Sequence, residues 1–521
     1  MPAVPQSQKE TIWGLFERQV AAESATLFAV DEHGHELTFG DAHVKALRLA
    51  ATLEQRGIDA TSVVAWQFPN SLDGFVVSLA LCRLGATQCP LIPILREREV
   101  EFICRQARTR LLVVPSRPGT QDFAALAHAV AAKLPGLEVL VWSDDQIARA
   151  PAEPMRPAPL GPYEDRWYYY TSGTTAEPKG AKHSDATLIA ASRSFVDALS
   201  ITRHDRVALL LPLTHIGGVV HVIATLLTGS PMITSSIFDP NRTPRLLSEQ
   251  RATTLPGSVP FVNAYFAFAD AHPELEPLFP HARLMTHGGS PKPPELHYRA
   301  KARFGTAGIL SGYGMTECPH SVWNRPDDND DDLATSEGRP TLGVELRVVD
   351  VNGEVVGAGQ EGEVRLRGPQ LMSGYVDATL DAAAFDELGF LRSGDLGVLD
   401  ARGHLHITGR LKDIIIRNME NISALEIENL LYTHRKVKEA AVIGVPDELT
   451  GERVCAVVVA REIDDPPTLA ELCAHLLGSG ISKRKLPEQL ELVNALPRNA
   501  MEKVRKVDLR ERFGAPKEAR T

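Results

Sequence analysis

One short run carries the strongest chemical signal. Between Tyr168 and Gly180, three tyrosines lead into Thr171, Ser172, Gly173, Thr174 and Thr175, and Lys179 follows. Small residues let backbone N–H groups turn inward around an anion. The hydroxyls add donors, and the lysine adds a compact positive charge for phosphate oxygens. The run is not G-x-x-x-x-G-K-[ST], because Pro178 precedes the lysine and Gly180 follows it. Composition alone admits a polar surface turn as readily as a phosphate loop of another class.

Other motifs fail on context. Gly357, Gly359 and Gly362 satisfy G-x-G-x-x-G, but a dinucleotide site needs a strand before it and a helix after it. Here GEVRLRG follows, which reads as a strand, so a hairpin turn is expected. No G-x-S-x-G occurs, so an α/β-hydrolase elbow is absent. His404 and His406 sit on alternate positions of an expected strand without Cys or carboxylate partners at ligand spacing, which argues against a metal there. The acidic run Asp327 to Asp332 reads as a solvated loop.

The elements that must position these residues alternate along the first hundred or so. Residues 37–57 have helical spacing and stop at a glycine, residues 62–68 read as a buried strand, and residues 71–91 read as helix, glycine stop and strand. That rhythm predicts an α/β fold with largely parallel strands. Residues 110–116 and 137–143 are further apolar strands. From about Leu346 the alternation and turn residues predict antiparallel hairpins. After Gly409 a small α+β unit is expected. Ser423 to Glu426 reads as a capping box with Ile422 and Ile427 as its staple, opening a helix from about Ala424 to Tyr432, and Thr468 to Glu471 reads as a second box.

Composition excludes several classes. The 521 residues suffice for roughly three or four units. With 44% hydrophobic and 23% charged residues, the chain is neither disordered nor fibrous. A net charge of −11 argues against a nucleic-acid partner. Six cysteines without a C-x-x-C pair point to a reducing compartment, and a cytoplasmic location is expected. The N-terminus has no basic segment followed by an apolar stretch, so it does not read as a signal peptide. Val207 to Phe238 carries no formal charge, but Pro212, Gly217, Gly218, Gly229 and Pro231 interrupt it. A buried strand–loop–helix is expected there, not a transmembrane segment.

T-S-G-T-T-x-x-P-K-G, at residues 171–180, resembles the signature of the adenylate-forming superfamily: acyl-CoA synthetases, firefly luciferase and the adenylation domains of peptide synthetases. Further motifs appear in the family's order, so the resemblance spans nearly the whole chain. It implies a large AMP-binding domain over residues 1–409, made of α/β subdomains and a β-rich subdomain. A hinge at 410–412 and a small mobile α+β C-terminal domain over 413–521 would follow.

The resemblance also implies roles. Thr171, Ser172, Gly173, Thr174, Thr175 and Lys179 would hold the β- and γ-phosphates of ATP. Gly312, Tyr313, Gly314, Met315, Thr316 and Glu317 match the next motif. There Tyr313 would stack on adenine, Thr316 meet the α-phosphate, and Glu317 hold Mg2+, as a carboxylate suits a hard cation. Gly288, Gly289 and Ser290 would lie along adenine. Asp395 would bind both ribose hydroxyls as an acceptor-only group, Arg410 would touch the ribose, and Lys412 would be the pivot. His215 would lie beside the substrate carboxylate, with Val219 and Val220 as apolar wall. Lys503 would bridge that carboxylate and ATP, although spacing alone leaves it a solvated lysine in a basic tail.

Two departures stand out. Glu502 replaces the usual glycine before the lysine, and Asn418-Met419 replaces Gly-Gly beside the expected pantetheine tunnel. The expected activity is a carboxylate–CoA ligase using ATP, Mg2+ and coenzyme A on a hydrophobic acid: fatty, alicyclic or aromatic. One adenylation unit with no carrier domain after it favours CoA as acceptor. A free-standing enzyme that loads a carrier protein is the alternative within the class. A nucleotide-binding protein without ligase activity is the alternative outside it.

Overall fold

The computed structural model describes residues 10–116, 121–143, 151–159, 161–171, 177–290, 292–417, 420–447, 449–498 and 503–514. Two large sheets dominate the first 400 residues. In the seven-stranded sheet, Thr87–Pro90, Val63–Trp66, Leu111–Pro115 and Glu138–Trp142 run parallel in that order. The hairpin Asp165–Thr171 and Lys179–Ser184 extends one side, and the two-residue strand Gly374–Tyr375 closes that edge. The nine-stranded sheet has a parallel centre, from Leu27–Val30 through Met232–Thr234, Val207–Leu209, Thr254–Pro256 and Leu284–Gly288 to Ile309–Met315. Cys318–Trp323 returns antiparallel beside Ile309–Met315.

One buried cluster joins both sheets. Val64, Trp66 and Trp167 of the first share it with Phe28, Leu209 and Met232 of the second, through helices Ile12–Glu23, Phe39–Gln55, Leu72–Leu84 and Ile216–Thr228. Leu72–Leu84 is buried from Gly74 onward, as a helix apolar on all sides must be. It ends at Gly85, whose left-handed backbone suits a residue without a β-carbon. The stretch from Val207 to Phe238 folds as strand, loop, helix and strand. No helix among the described residues is long and apolar enough to cross a membrane.

Glu345–Val349, Glu361–Arg367, Leu391–Leu399 and Leu405–Arg410 form an all-antiparallel sheet, and Gly357 lies in a turn entering its second strand. One 3-10 turn, Leu411–Asp413, leads from it to Ile414–Arg417 in the last, five-stranded sheet.

Three local expectations need correction. Asp330–Thr335 is a helix capped by Asn329, not a loop, and Asp332 is buried because Arg402 reaches it across the fold. Asp400, four residues before it, and Asp332, far away in sequence, both stand close to His404, so carboxylates do gather around that histidine. Arg402 pairs with Asp332 and Arg339 with neighbouring Asp328, making the cluster an ion-pair network. Third, Ser423 caps helix Ala424–Leu431, but Glu426 does not return the bond; it pairs with Lys485 at 2.6 Å. The Thr468 box is complete.

The loop before Ile216–Thr228 depends on Gly218. A β-carbon there would lie 2.3 Å from the Pro212 carbonyl oxygen and 2.7 Å from Leu213 Cα. Gly218→Ala should therefore destabilise the protein by about 1–3 kcal/mol. Thermal unfolding would read this as a lowered Tm, and an unchanged Tm would show that the loop relaxes freely.

Candidate active site

The phosphate-loop run is the connection of a β-hairpin. Thr171 and Lys179 face each other at its base, with Tyr170 opposite Gly180. A β-carbon on Gly180 would lie 2.7 Å from the Tyr170 ring, so the glycine after the lysine makes room for that ring. Ser172, Gly173, Thr174 and Thr175 lie outside the described residues. The Lys179 ammonium sits 5.8 Å from the centre of the Tyr375 ring. Tyr375 pairs with Ala181 across the sheet edge and donates its hydroxyl to Glu317 Oε1 at 2.7 Å. One tyrosine thus ties the hairpin lysine to the carboxylate expected to hold a metal. The sequence reading missed it.

The adjoining strands supply the next wall. Gly288 pairs with Gly312, and a β-carbon on Gly288 would lie 2.9 Å from the Gly312 carbonyl oxygen. The turn through Gly289 and Ser290 is held from below, where His287 Nε2 donates to the Ser290 carbonyl at 2.7 Å. Burial, reinforced by the Lys292 charge, lowers the His287 pKa to about 4, so this imidazole is neutral. Gly312 is covered by the Trp323 indole, 2.4 Å from where its β-carbon would be. Gly314 and Met315 continue the strand to Thr316, whose carbonyl takes a 2.8 Å bond from His183 Nε2. His183 and His287 were also unread in the sequence; each acts through a backbone carbonyl, which no motif encodes.

Asp395 is almost fully buried and holds two partners. The Tyr313 hydroxyl donates to Oδ2 at 2.8 Å, and Arg410 Nε pairs with Oδ1 at 2.7 Å. Burial and the Asp395 charge push the Tyr313 phenol well above its usual pKa.

Lys503 enters this group from the C-terminal segment. A β-carbon on Gly289 would meet its Cε at 3.2 Å and Nζ at 3.4 Å, so the glycine provides the lysine's berth. Burial and Arg410 lower the Lys503 pKa to about 8, against the opposing pull of Asp395 and Glu317. His215 caps helix Ile216–Thr228, with Nδ1 accepting from the Gly217 N–H at 3.1 Å. Its Nε2 therefore carries the proton. Burial first, then the Lys503 charge, lowers its pKa to about 3, so it is a neutral donor. Val220 is fully buried in the cluster of Phe195 and Trp323, and backs this region without lining it. Lys412 lies on the turn between the last two sheets, and Asn418, Met419 and Glu502 lie outside the described residues.

The arrangement gathers the cations Lys179, Arg410 and Lys503 with the carboxylates Asp395 and Glu317, from three sheets and a C-terminal segment. Residues 16–376 match the family of AMP-binding enzymes, and residues 426–503 match the AMP-binding enzyme C-terminal domain. The chain belongs to the AMP-binding enzyme family. It is an AMP-forming acid–thiol ligase, and ATP and CoA are the substrates of this enzyme family. It is 31% identical to the medium-chain fatty-acid–CoA ligase of Escherichia coli K12, over 96% of this chain and 91% of that protein. It is 34% identical to the 3-[(3aS,4S,7aS)-7a-methyl-1,5-dioxo-octahydro-1H-inden-4-yl]propanoyl:CoA ligase of Mycobacterium tuberculosis H37Rv, over 89% and 91% of the two chains. Among solved structures, ATP-bound MatB from Rhodopseudomonas palustris superposes with a TM-score of 0.87 at 30% identity, covering 96% and 99% of the two chains.

The lowered pKa of Lys503 has a kinetic consequence in this family member. A lysine depressed to about 8 is an ammonium below that pH and a neutral amine above it. If the first half-reaction needs the ammonium, kcat/KM for ATP in acid-dependent pyrophosphate exchange falls above about pH 8, because this parameter reports the free enzyme. Lys503→Arg keeps its charge and should remove that alkaline limb. A wild-type profile flat to about pH 10, near an ordinary lysine pKa, would refute the assignment.

Proposed function

We propose that the enzyme activates a hydrophobic carboxylic acid as its adenylate and transfers the acyl group to CoA, with Lys503, Lys179, Thr316, Glu317 and His215 as its working residues. In the first half-reaction a carboxylate oxygen attacks the α-phosphorus of ATP, and the bond to the bridging oxygen breaks as pyrophosphate leaves. A carboxylate approaches a polyphosphate against like charge, so positive groups must offset that field and align the attack. Lys179 at the hairpin base serves the β- and γ-phosphates. Lys503 serves the meeting point of carboxylate and α-phosphate, and His215 Nε2–H orients the acid. Asp395 and Arg410 take the ribose hydroxyls, and Tyr313 the adenine face.

The donor set near Lys179 fits Mg2+. Glu317, whose Oε1 is fixed by Tyr375, would hold the ion with one carboxylate, a hard oxygen donor of the kind Mg2+ takes alongside phosphate and water oxygens. When bound, the ion adds positive charge opposite the triphosphate.

In the second half-reaction the CoA sulfur attacks the acyl carbonyl, the bond to the phosphate oxygen breaks, AMP leaves, and the thiol proton passes to solvent. The small domain, 413–521, would turn about Lys412 to withdraw Lys503 and admit CoA. Such a motion gates the chemistry. The observation that carries this reading is Lys503 itself: from a segment of another sheet, it lies against Gly289 within the field of Asp395, Glu317 and Arg410.

Separating the half-reactions tests it. Lys503→Ala should abolish adenylate formation and largely spare thioester formation from supplied acyl-adenylate, whereas Lys412→Pro should do the reverse. Equal losses in both halves for either variant contradict its role. A panel of acids with ATP and either CoA or a phosphopantetheinyl carrier protein, read as AMP and thioester, tests the acceptor. Turnover with the carrier alone would make the enzyme a carrier loader, and ATP binding without acid-dependent pyrophosphate release would overturn ligase activity.

A further inference from the structure

Two more histidines lie beside His215, and their hydrogen bonds fix their protons. His221, on the same helix, donates Nδ1–H to the Gly217 carbonyl at 2.8 Å, so its Nε2 is a bare acceptor. His320 accepts the Trp323 indole N–H on Nδ1 at 2.9 Å, so its Nε2 carries the proton. Both rings pack on Phe195, with centroids at 4.7 Å and 5.3 Å. Burial lowers the pKa of both, and that of His320, with His221 and His215 nearby, falls to about 3. The two imidazoles are therefore neutral, one presenting a donor and the other an acceptor.

Neither ε nitrogen has a hydrogen-bond partner among the described residues, and neither is among the sealed, unpartnered atoms of the core. Each is therefore an accessible atom, on rings that share the Phe195 contact. His320 also holds a left-handed backbone, φ +52°, which a non-glycine residue adopts at a cost. That strain, beside Gly314, turns the ring back onto Trp323.

We propose that the acid pocket selects a carboxylic acid whose ring or chain bears a hydroxyl group, with His320 Nε2–H donating to the hydroxyl oxygen and His221 Nε2 accepting its proton. The inference rests on the reading of His215 at the substrate carboxylate. A hydroxyl is the group that satisfies both nitrogens, since it donates and accepts at one atom. A ketone or a second carboxylate satisfies His320 and faces the lone pair of His221. A plain hydrocarbon skeleton leaves both nitrogens unpaired.

The test uses matched acids, hydroxylated, keto and deoxy, scanned over hydroxyl position on aromatic, alicyclic and straight-chain skeletons. Acid-dependent ATP–pyrophosphate exchange gives kcat/KM, and calorimetry with the acyl-sulfamoyl adenosine analogues gives affinity without turnover. At least one hydroxy acid should exceed both partners by about 100-fold. His320→Phe and His221→Phe should each collapse that preference by lowering kcat/KM for the hydroxy acid alone, and His221→Gln, which retains an acceptor, should restore it. Deoxy acids equal or better in every pair, or variants that weaken both members equally, overturn the proposal while leaving the ligase reading intact. If no acid releases pyrophosphate, the ligase reading fails, and calorimetry still decides whether the pair prefers a hydroxyl.

Discussion

A lysine ammonium drawn out of water is the interaction on which the site depends. Lys503 comes from the far end of the chain, and its burial is costly unless charge compensates it. Two carboxylates exert that pull, Asp395 and Glu317, and Arg410 already pairs with the first. Lys412 adds further positive charge. The pocket is therefore short of negative charge within a chain whose net charge is −11. An anion with several charges corrects the imbalance, and a nucleoside triphosphate is such an anion. Burial first, and then that shortage, lowers the lysine's pKa, so the feature that attracts ATP also contributes to the pH sensitivity of the free enzyme.

Glycines make this convergence possible by omitting a side chain where another group must lie. Gly180 yields to the Tyr170 ring, Gly289 to the Lys503 stem and Gly312 to the Trp323 indole. Each belongs to a different run of sequence, and each lets one element approach another closely. The family motifs thus have two layers. On the proposed reading their polar residues face the nucleotide, and their glycines set the distance between the elements that carry those residues.

Much of the alternation of helix and strand was legible because it is local. Thr468 caps its helix through the capping box its spacing predicts, and Gly85 ends a helix as expected. The polar residues the structure gathers, among them Lys179, Glu317, Asp395 and Lys503, stand in contiguous runs. What escaped was decided over distance. Tyr375 earns its place through a two-residue edge strand that pairs with Ala181. Asp332 is buried by Arg402, 70 residues away, so an acidic run that looked solvated became a helix start. Glu426 left its capping box for Lys485. The apolar look of residues 211–220 hid the pocket's polarity. His221 acts through the backbone of its own helix, while His320 reaches Phe195 from another strand.

On the proposed mechanism the order of events follows from the same charge balance. With ATP and Mg2+ in place, Lys503 lies among phosphate oxygens and its ammonium is favoured. When pyrophosphate departs, most of that negative charge leaves with it, and the adenylate, a mixed carboxylic–phosphoric anhydride, retains a single negative charge. Lys503 then keeps Asp395 and Glu317 as its compensating carboxylates, beside the positive Arg410 and Lys412. The small domain is joined to the large one by a single 3-10 turn and by contacts as modest as the Ser423 hydroxyl on the Thr408 carbonyl. The small domain is thus a lightly held lever. On the proposed mechanism, loss of pyrophosphate therefore weakens the hold on Lys503 at the moment the second half-reaction requires its withdrawal.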